Sequence, residues 1–338
     1  MPQSEKRGVS VLQIYGTLGP SCGDVETLAR LFQAGMTGIR LNLSHGGLAA
    51  SAEGIDHLHA AARRCGVTPR LLIDMQGPEL RVGDLPEPVS LETGAMVRLG
   101  EAIPLPRAVL PHLLPGQEVL LDDGKLLLRV TELFSGGALV RVERGGVLRS
   151  RKSAALPGVD IHLPAMTDSD LANLRAAGAY GVTGVMQPFV RSRADLEEVR
   201  GVLDAAGGQA IRLFAKIENL DGVEKLGELL PAAGEIVIAR GDLGNAVPLW
   251  KLPALQKRIA AVCREAGKPF MVVTQMLASM EQNPVPTRAE VTDVFNAVLD
   301  GASSVMLTGE TAAGNYPVEA MEYLVRTVRE AEAYLQAR

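Results

Sequence analysis

The chain has 338 residues, enough for one large domain or for two to three ordinary ones. Hydrophobic residues make up 47% of it and charged residues 22%, so the chain can bury a large core without disulfides or a metal. The net charge is −5, and no basic stripe is interleaved with aromatic residues, which argues against nucleic acid as a partner. Disordered and fibrous classes are excluded as well.

The cysteines and the apolar runs indicate the cellular compartment. Cys22, Cys65 and Cys263 are odd in number and far apart, which argues against a disulfide framework and against a zinc site. Residues 1–10 lack the apolar stretch of a signal peptide, and no apolar run approaches the ~20 residues of a membrane span. We therefore expect a cytoplasmic protein with no membrane partner.

From residue 11 onward, short apolar runs alternate with amphipathic helical patterns. The helical patterns at 25–35, 195–207 and 254–267 each end at a glycine, which closes a helix at little cost. The apolar runs lie at 11–17, 37–43, 70–74, 182–187, 211–217, 235–239, 270–274 and 303–308. Eight strand–helix units in series predict parallel strands and right-handed crossovers. The predicted fold class is therefore α/β, a TIM (β/α)8 barrel.

One interval, residues 82–155, breaks this alternation. It is rich in proline and carries short alternating runs at 118–123, 125–130 and 138–143, which are typical of β-strands. A loop of this length without structure of its own would be exceptional. We expect a barrel built from 1–81 and 156–338, with a small all-β domain inserted after the third strand. At the C-terminal mouth of the barrel, such a domain is well placed to act as a lid.

Polar side chains stand where the predicted strands end, which is where TIM barrels carry their chemistry. Glu218 and Asp242, with no histidine or thiolate beside them, suit Mg²⁺ or Mn²⁺. Lys216 can neutralise charge that develops on a phosphoryl group or an enolate. Arg40 and Arg81 offer paired donors for phosphate oxygens. Any one of these groups could form an ordinary ion pair, but six strand ends at one mouth favour a site for a small, anionic, metal-chelating substrate.

Alternation along the second strand places Arg40, Asn42 and Ser44 on one face. His45 follows them in the loop. For a single histidine there, a hydrogen bond to the backbone and a contact with a ligand are equally good explanations.

Motifs along nearly the whole chain resemble those of the pyruvate kinase family. They are GTLGPS (16–21), GIRLNLSHG (38–46), IDMQGPELRVG (73–83), LPGVDIHLPAMTDSD (156–170), AKIEN (215–219), ARGDLG (239–244), TQMLASM (274–280), PTRAEVTDVFNAVLDGA (286–302) and LTGETAAGNYP (307–317). The resemblance implies phosphoryl transfer from phosphoenolpyruvate to ADP, giving pyruvate and ATP through a metal-stabilised enolate. Because the chain stops after the eighth helix, we expect no C-terminal regulatory domain.

The resemblance also implies a role for each matching residue. Lys216 would stabilise the transferring phosphoryl group and the enolate, and Thr274 lies on the face where the enolate is protonated. The substrate would be bound by Gly241, Asp242 and Thr274. The cations would be held by Glu218 and Asp242 for Mg²⁺ or Mn²⁺, and by Asn42, Ser44, Asp74 and the carbonyl of Met75 for K⁺, with Glu79 accompanying the potassium dependence. The phosphates and the nucleotide would be bound by Thr17, Pro20, Arg40, His45, Arg81 and Lys152, with Asp123 as a further lid residue.

Departures from the family pattern fall mainly on the nucleotide side. Met75-Gln76 replaces Thr-Lys, Ala313 replaces a lysine that meets the nucleotide phosphates, and Ser51 replaces a tyrosine. Further differences are Gln187-Pro188 for Ala-Ser, Ser153 for glycine and Ala155 for asparagine. Losing one charge-assisted phosphate contact costs about 1.5–3 kcal/mol, so weakened ADP use is compatible with the reaction.

Two other functions stay open from the sequence. One is a divergent enzyme that keeps only Mg²⁺-dependent enolate chemistry, a lyase or decarboxylase acting on a 2-oxo acid. The other is a non-catalytic protein that binds phosphoenolpyruvate or pyruvate, although binding alone does not require Lys216. Since the family pairs subunits partly through the barrel, near the matching segment 274–302, we also expect a homodimer.

Overall fold

The structure is a computed structural model that describes residues 12–77, 80–122, 124–159, 161 and 163–337, and only the backbone of His45. Within these residues, eight parallel strands close into a barrel. Numbered along the whole chain, they are β1 (Gln13–Thr17), β2 (Gly38–Asn42), β3 (Arg70–Asp74), β11 (Gly184–Gln187), β12 (Arg212–Ile217), β13 (Glu235–Ala239), β14 (Phe270–Val273) and β15 (Ser304–Met306). They run around the barrel in chain order, and β1 pairs with both β2 and β15. The predicted TIM barrel is confirmed.

Helices follow the barrel strands and pack outside them. They are α1 (Val25–Ala34), α2 (Ala52–Cys65), α3 (Asp168–Ala176), α4 (Arg193–Ala205), α5 (Leu220–Glu224), α6 (Leu226–Leu229), α7 (Arg240–Ala246), α8 (Leu252–Glu265), α9 (Arg288–Leu299), α10 (Gly309–Ala312) and α11 (Pro317–Gln336). Capping boxes open α3, α4 and α9, each with an acidic third residue that bonds back to the cap. None of the helices in the described part of the chain has the length and apolar character needed to cross a membrane.

Two apolar layers hold the barrel. Tyr15, Leu72, Phe214 and Met271 belong to the cluster of buried side chains inside it. A larger cluster, rich in Leu, Ile and Val, fills the space between the strands and the helices. This arrangement explains why the barrel strands read as continuous apolar runs, since both of their faces are covered.

Between β3 and α3 the chain forms a separate β structure, here called the insert. Its strands are β4 (Val89–Leu91), β5 (Met96–Leu99), β6 (Glu118–Leu121), β7 (Leu126–Phe134), β8 (Gly137–Arg144), β9 (Gly146–Leu148) and β10 (Ala154–Ala155). Five of them form an antiparallel sheet in the order β10-β6-β7-β8-β5, and β4 pairs with β9. The insert has its own apolar core. Its two ends pair side by side, with an antiparallel bridge between Arg81 and Ser153 and a bond from Val82 N to Lys152 O of 2.8 Å.

The prediction that Ser44 continues the face of Arg40 and Asn42 is wrong. β2 ends at Asn42, and residues 43–45 form a turn of 3₁₀-helix. The side-chain oxygen of Asn42 accepts a hydrogen bond from Ser44 N at 3.1 Å, so it caps this turn and ends the strand. The period-two alternation therefore stops one residue before Ser44.

Candidate active site

Asp74, the last residue of β3, is the shared counter-ion of two cations at the mouth of the barrel. Its carboxylate accepts from Arg40 Nε at 2.8 Å, and Arg40 Nη2 lies 2.7 Å from the same oxygen. Lys216 Nζ lies 3.3 Å from both carboxylate oxygens. The Asp74 side chain is only 3% exposed. Burial raises the pKa of Asp74, but Lys216 and Arg40 outweigh it and hold this pKa below its usual range.

Lys216 bridges Asp74 to Glu218. Its Nζ lies 2.9 Å from Glu218 Oε1, while Glu218 Oε2 accepts from Phe189 N at 2.8 Å. Lys216 and Glu218 are two residues apart, so their side chains leave the end of β12 in the same direction. Burial acts to lower the pKa of Lys216, but Asp74 and Glu218 raise it above its ordinary value. The lysine is therefore a fixed positive charge.

Glu218 and Asp242 are the two carboxylates predicted to hold a divalent cation. Burial, opposed by Lys216 and reinforced by the negative charge of Asp242, raises the pKa of Glu218 to about 7. A cation shared by these two carboxylates would relieve the repulsion between them. Among the described residues, no group of three or more His, Cys, Asp or Glu could hold a metal by itself. Two carboxylates fit Mg²⁺, which keeps several waters and also binds substrate oxygens.

A cavity of about 460 Å³ lies between the mouth of the barrel and the insert. The barrel side includes Glu218, Asp242 and Phe189, and the insert side includes Leu120 and Gly124. The candidate metal donors therefore face a space that is large enough for a small anionic substrate.

Thr274 follows β14 in a backbone conformation that non-glycine residues rarely adopt, with φ of 79°, and Gln275 follows with φ of 53°. Arg240 holds this turn, because its Nε and Nη2 donate to the carbonyl of Thr274 at 3.1 and 2.6 Å. Asp293 of α9 in turn pairs with Arg240 Nη1. A Cβ at Gly241 would lie 3.3 Å from the Thr274 methyl group, so glycine there lets the backbone approach Thr274 closely.

The residues predicted to hold K⁺ lie at the ends of β2 and β3. Asn42 and Asp74 are register partners on these adjacent strands, so their side chains lie side by side. Met75 is buried, and its N–H bonds to Met186 O at 3.0 Å. Carboxylate, amide and carbonyl oxygens are suitable donors for a hard monovalent cation. Glu79 lies outside the described residues.

The predicted nucleotide residues, together with Ala313 at the position of the family's lysine, lie in three places. Thr17 contacts the site directly, since its Oγ1 lies 3.4 Å from Arg40 Nη1 and donates to Leu307 O. Pro20 and Ala313 are exposed. Arg81 and Lys152 lie at the insert ends, where Arg81 Nη1 donates to Arg151 O and Lys152 Nζ pairs with Asp122. The side chain of His45 and the whole of Asp123 lie outside the described residues.

Sequence reasoning did not find the residues that hold the site loops in place. They are Asp170 on α3, Arg240 on α7, Asp293 on α9 and Glu310 on α10. Glu310, which is buried, accepts from Leu277 N and Thr308 N at 2.9 and 2.7 Å. The only signal for Asp170 was its capping-box position, which predicts a helix start but not a contact with another loop.

Comparison with known proteins places this arrangement in a family. The family model "Pyruvate kinase, barrel domain" matches residues 10–321. The chain is 38% identical to a pyruvate kinase of Geobacillus stearothermophilus over 96% of its own length and 58% of the relative's. It is 41% identical to one of Methylorubrum extorquens over 95% of its length and 68% of the relative's. It is 39% identical to pyruvate kinase PKLR of Homo sapiens over 99% of its length and 62% of the relative's. The chain thus spans about three fifths of some of these relatives, and it belongs to the pyruvate kinase family.

Proposed function

We propose that this barrel transfers the phosphoryl group of phosphoenolpyruvate to ADP and releases pyruvate. The observation that carries the proposal is the largely buried row Arg40–Asp74–Lys216–Glu218, in which two cations are fixed by two carboxylates at the ends of β2, β3 and β12. Such a row offers positive charge to a phosphate and an enolate without any rearrangement at the moment of reaction.

In this mechanism, Arg40 binds the phosphate through its guanidinium while Asp74 keeps that group aligned. As the bond between phosphorus and the enol oxygen breaks and a bond from phosphorus to an ADP oxygen forms, the electron pair stays on the enolate oxygen as negative charge. Lys216 neutralises this charge. We assign to Thr274 the delivery of a proton to carbon 3 of the enolate, which completes pyruvate.

A divalent cation bound by Glu218 and Asp242 would supply further charge neutralisation for the phosphoryl and enolate oxygens. We assign the substrate carboxylate to Gly241, Asp242 and Thr274, and a potassium ion to Asn42, Ser44, Asp74 and the Met75 carbonyl. On the nucleotide side we assign Thr17, Pro20, Arg40, His45, Arg81 and Lys152. The insert serves as the lid. A homodimer through the barrel and a cytoplasmic location remain predictions.

The test is a lactate-dehydrogenase-coupled assay with phosphoenolpyruvate, Mg²⁺ and K⁺, run first with ADP and then with GDP. We expect turnover in the native protein and a loss of about a hundredfold or more in Lys216→Met, because a positioned charge is removed from the transition state. Lys257→Met is the matched control, since Lys257 pairs with Asp300 on the outside of the barrel.

Two results would contradict the proposal. One is undiminished turnover in Lys216→Met. The other is no turnover in a folded protein that binds Mg²⁺, which would mean that phosphoryl transfer is absent. Exchange of the carbon 3 protons of pyruvate, measured without nucleotide, would then show whether the enolate chemistry alone is present.

A further inference from the structure

Asp170 is a buried carboxylate in the first turn of α3, outside the row Arg40–Asp74–Lys216–Glu218. Its relative exposure is 0%. It accepts four hydrogen bonds: from Gln76 N at 2.9 Å, Gly77 N at 3.1 Å, Thr167 N at 2.9 Å and Thr167 Oγ1 at 2.7 Å. Two of these donors belong to its own capping box, but the other two come from the loop that follows β3. A buried charge is tolerated only when so fully bonded.

The loop at 75–77 connects this carboxylate to Asp74. Gln76 and Gly77 present consecutive N–H groups to Asp170, and Gly77 has φ of +64°. Successive N–H groups in such a conformation form a small anion-binding concavity. Since Met75 directly follows Asp74, the position of this loop sets where β3 ends. Asp170 therefore fixes the loop that directly follows Asp74, the counter-ion of Arg40 and Lys216.

The same loop also contacts the turn that holds Glu218. A Cβ at Gly77 would collide with the ring of Pro188, so the loop is packed tightly against that residue. The next residue, Phe189, donates its N–H to Glu218 Oε2 and has φ of +52°. The loops beside both carboxylate partners of Lys216 thus meet where Gly77 touches Pro188, and Asp170 binds the N–H of the same Gly77.

We propose that Asp170 is a positioning residue for the reaction: it fixes the 75–77 loop and, through it, the placement of Asp74 and Glu218 around Lys216. This inference rests on the proposed function for its effect on turnover, but the structural part can be tested without any substrate. An asparagine in place of Asp170 has one acceptor oxygen and a donor amide, so it cannot satisfy the four N–H and O–H groups now directed at the carboxylate.

The experiment compares the native protein, Asp170→Asn and Thr167→Ala by hydrogen exchange and mass spectrometry, without substrate. Thr167→Ala is the matched control because it removes the capping hydroxyl of α3, which is also one of the four donors to Asp170, and leaves both loop bonds in place. In Asp170→Asn we expect the amides of segment 75–77 and the amide of Phe189 in segment 188–189, where Pro188 has no N–H, to exchange at least tenfold faster. In Thr167→Ala the change should stay within the first turn of α3.

Turnover with phosphoenolpyruvate and ADP is the second measurement. We expect kcat to fall about tenfold or more in Asp170→Asn, with KM for phosphoenolpyruvate changed less than threefold, since small misplacements of catalytic groups act mainly on the transition state. Thr167→Ala should stay within twofold of the native kcat. If the native protein shows no turnover, the proposed function fails, and exchange alone decides the positioning role.

The proposal is overturned if the two segments exchange at the native rate in Asp170→Asn, or if Thr167→Ala accelerates them equally. It is also overturned if segment 75–77 of the native protein exchanges as fast as an open loop. That last measurement needs no variant, so it holds even if Asp170→Asn does not fold.

Discussion

At the scale of single residues, the site depends on Asp74. Without its carboxylate, the positive charges of Arg40 and Lys216 would lie close together with little water around them, since each side chain is only 14% exposed. Removing one partner of a buried ion pair leaves the remaining charge uncompensated, which costs more than the pair contributes when intact. Asp74 thus contributes to stability while preparing the positive charge that the reaction needs.

We expect Asp74→Asn to lower the free energy of unfolding at pH 7 by roughly 3 kcal/mol. Because the pKa of Asp74 is held below its usual range, its contribution is present above its ordinary pKa of about 4 and is lost as pH falls through the lower pKa of the folded protein. The difference between the two proteins should therefore shrink at acid pH. Urea unfolding of both proteins between pH 3 and 7 measures it.

Glu26→Gln provides the comparison for this prediction, since Glu26 forms an ion pair with Arg64 in which both side chains are more than half exposed. Such pairs contribute little, so this variant should unfold almost as the native protein does. Equal losses in the two variants would show that burial of Asp74 has no special effect.

At the scale of elements, the position of Thr274 depends on three of them, β14, α7 and α9. The turn after β14 holds two consecutive residues at positive φ, a conformation that costs energy and persists only where the surroundings impose it. Arg240 at the start of α7 grips the carbonyl of Thr274, and Asp293 of α9 aligns Arg240. The position of Thr274 is thus imposed by neighbouring elements rather than by its own strand.

Arg240→Lys keeps the charge but removes the paired donors, because an ammonium cannot reproduce the planar guanidinium. We expect kcat to fall about tenfold or more, and exchange of the pyruvate carbon 3 protons to slow with it, as Thr274 loses its place. Steady-state turnover and proton exchange by NMR are the measurements.

Arg212→Lys is the matched control for this change. Arg212 makes the same kind of contact at the other end of the barrel, with Nε and Nη2 on the carbonyl of Gly234 and Nη1 beside Glu235. It should lower stability without affecting turnover. If both variants lose turnover to the same degree, the effect on Thr274 is not specific.

At the scale of the whole molecule, the insert contacts the barrel at a point far along the chain from its paired ends. The turn between β6 and β7 reaches α7, where a Cβ at Gly124 would lie 3.2 Å from Asn245 Oδ1. Arg144 supports this turn by donating to the carbonyls of Gly124 and Lys125. One wall of the cavity is therefore a turn that is braced within the insert and lies close to α7 at Gly124.

Gly124→Ala should raise KM for phosphoenolpyruvate several-fold, because the added methyl group pushes this turn away from α7. Gly116→Ala is the control: Gly116 also has positive φ, 86° against 76° for Gly124, but a Cβ there would meet nothing within 4 Å. Both variants should lose similar stability from backbone strain. A matching rise of KM in Gly116→Ala would contradict a specific closing contact.

The barrel could be predicted because its signals are local. Apolar runs separated by helical patterns and closing glycines located each strand to within a few residues; the run predicted at 235–239, for example, is β13. The face of Ser44 was predicted wrongly because the side chain of Asn42 accepts a hydrogen bond from Ser44 N and so ends the strand. This hydrogen bond does not change the pattern of apolar residues, which is the signal that the prediction used.

The inner organisation of the site could be predicted only in part. Lys216, Glu218 and Asp242 were visible as charges at strand ends, and Asp74 was assigned to a cation. That Arg40 and Lys216 share Asp74 depends on the register of the four strands β2, β3, β11 and β12, which no single segment encodes. Asp170 acts across 93 positions on Gly77, and Arg240 acts across 34 on Thr274. Neither contact leaves a mark in the local sequence around these residues.

The antiparallel pairing of the insert ends also bears on how the barrel assembles. β3 and β11 pair in the barrel although the whole insert separates them in sequence. The entropy cost of bringing two such strands together grows with the logarithm of the length of the intervening loop. Once the insert has folded, Arg81 and Ser153 are neighbours, so the effective loop is much shorter. The free-energy cost of pairing β3 with β11 then falls by about 1 kcal/mol. Early folding of the insert would therefore help to bring together β3 and β11, which are farther apart in sequence than any other two consecutive strands of the barrel.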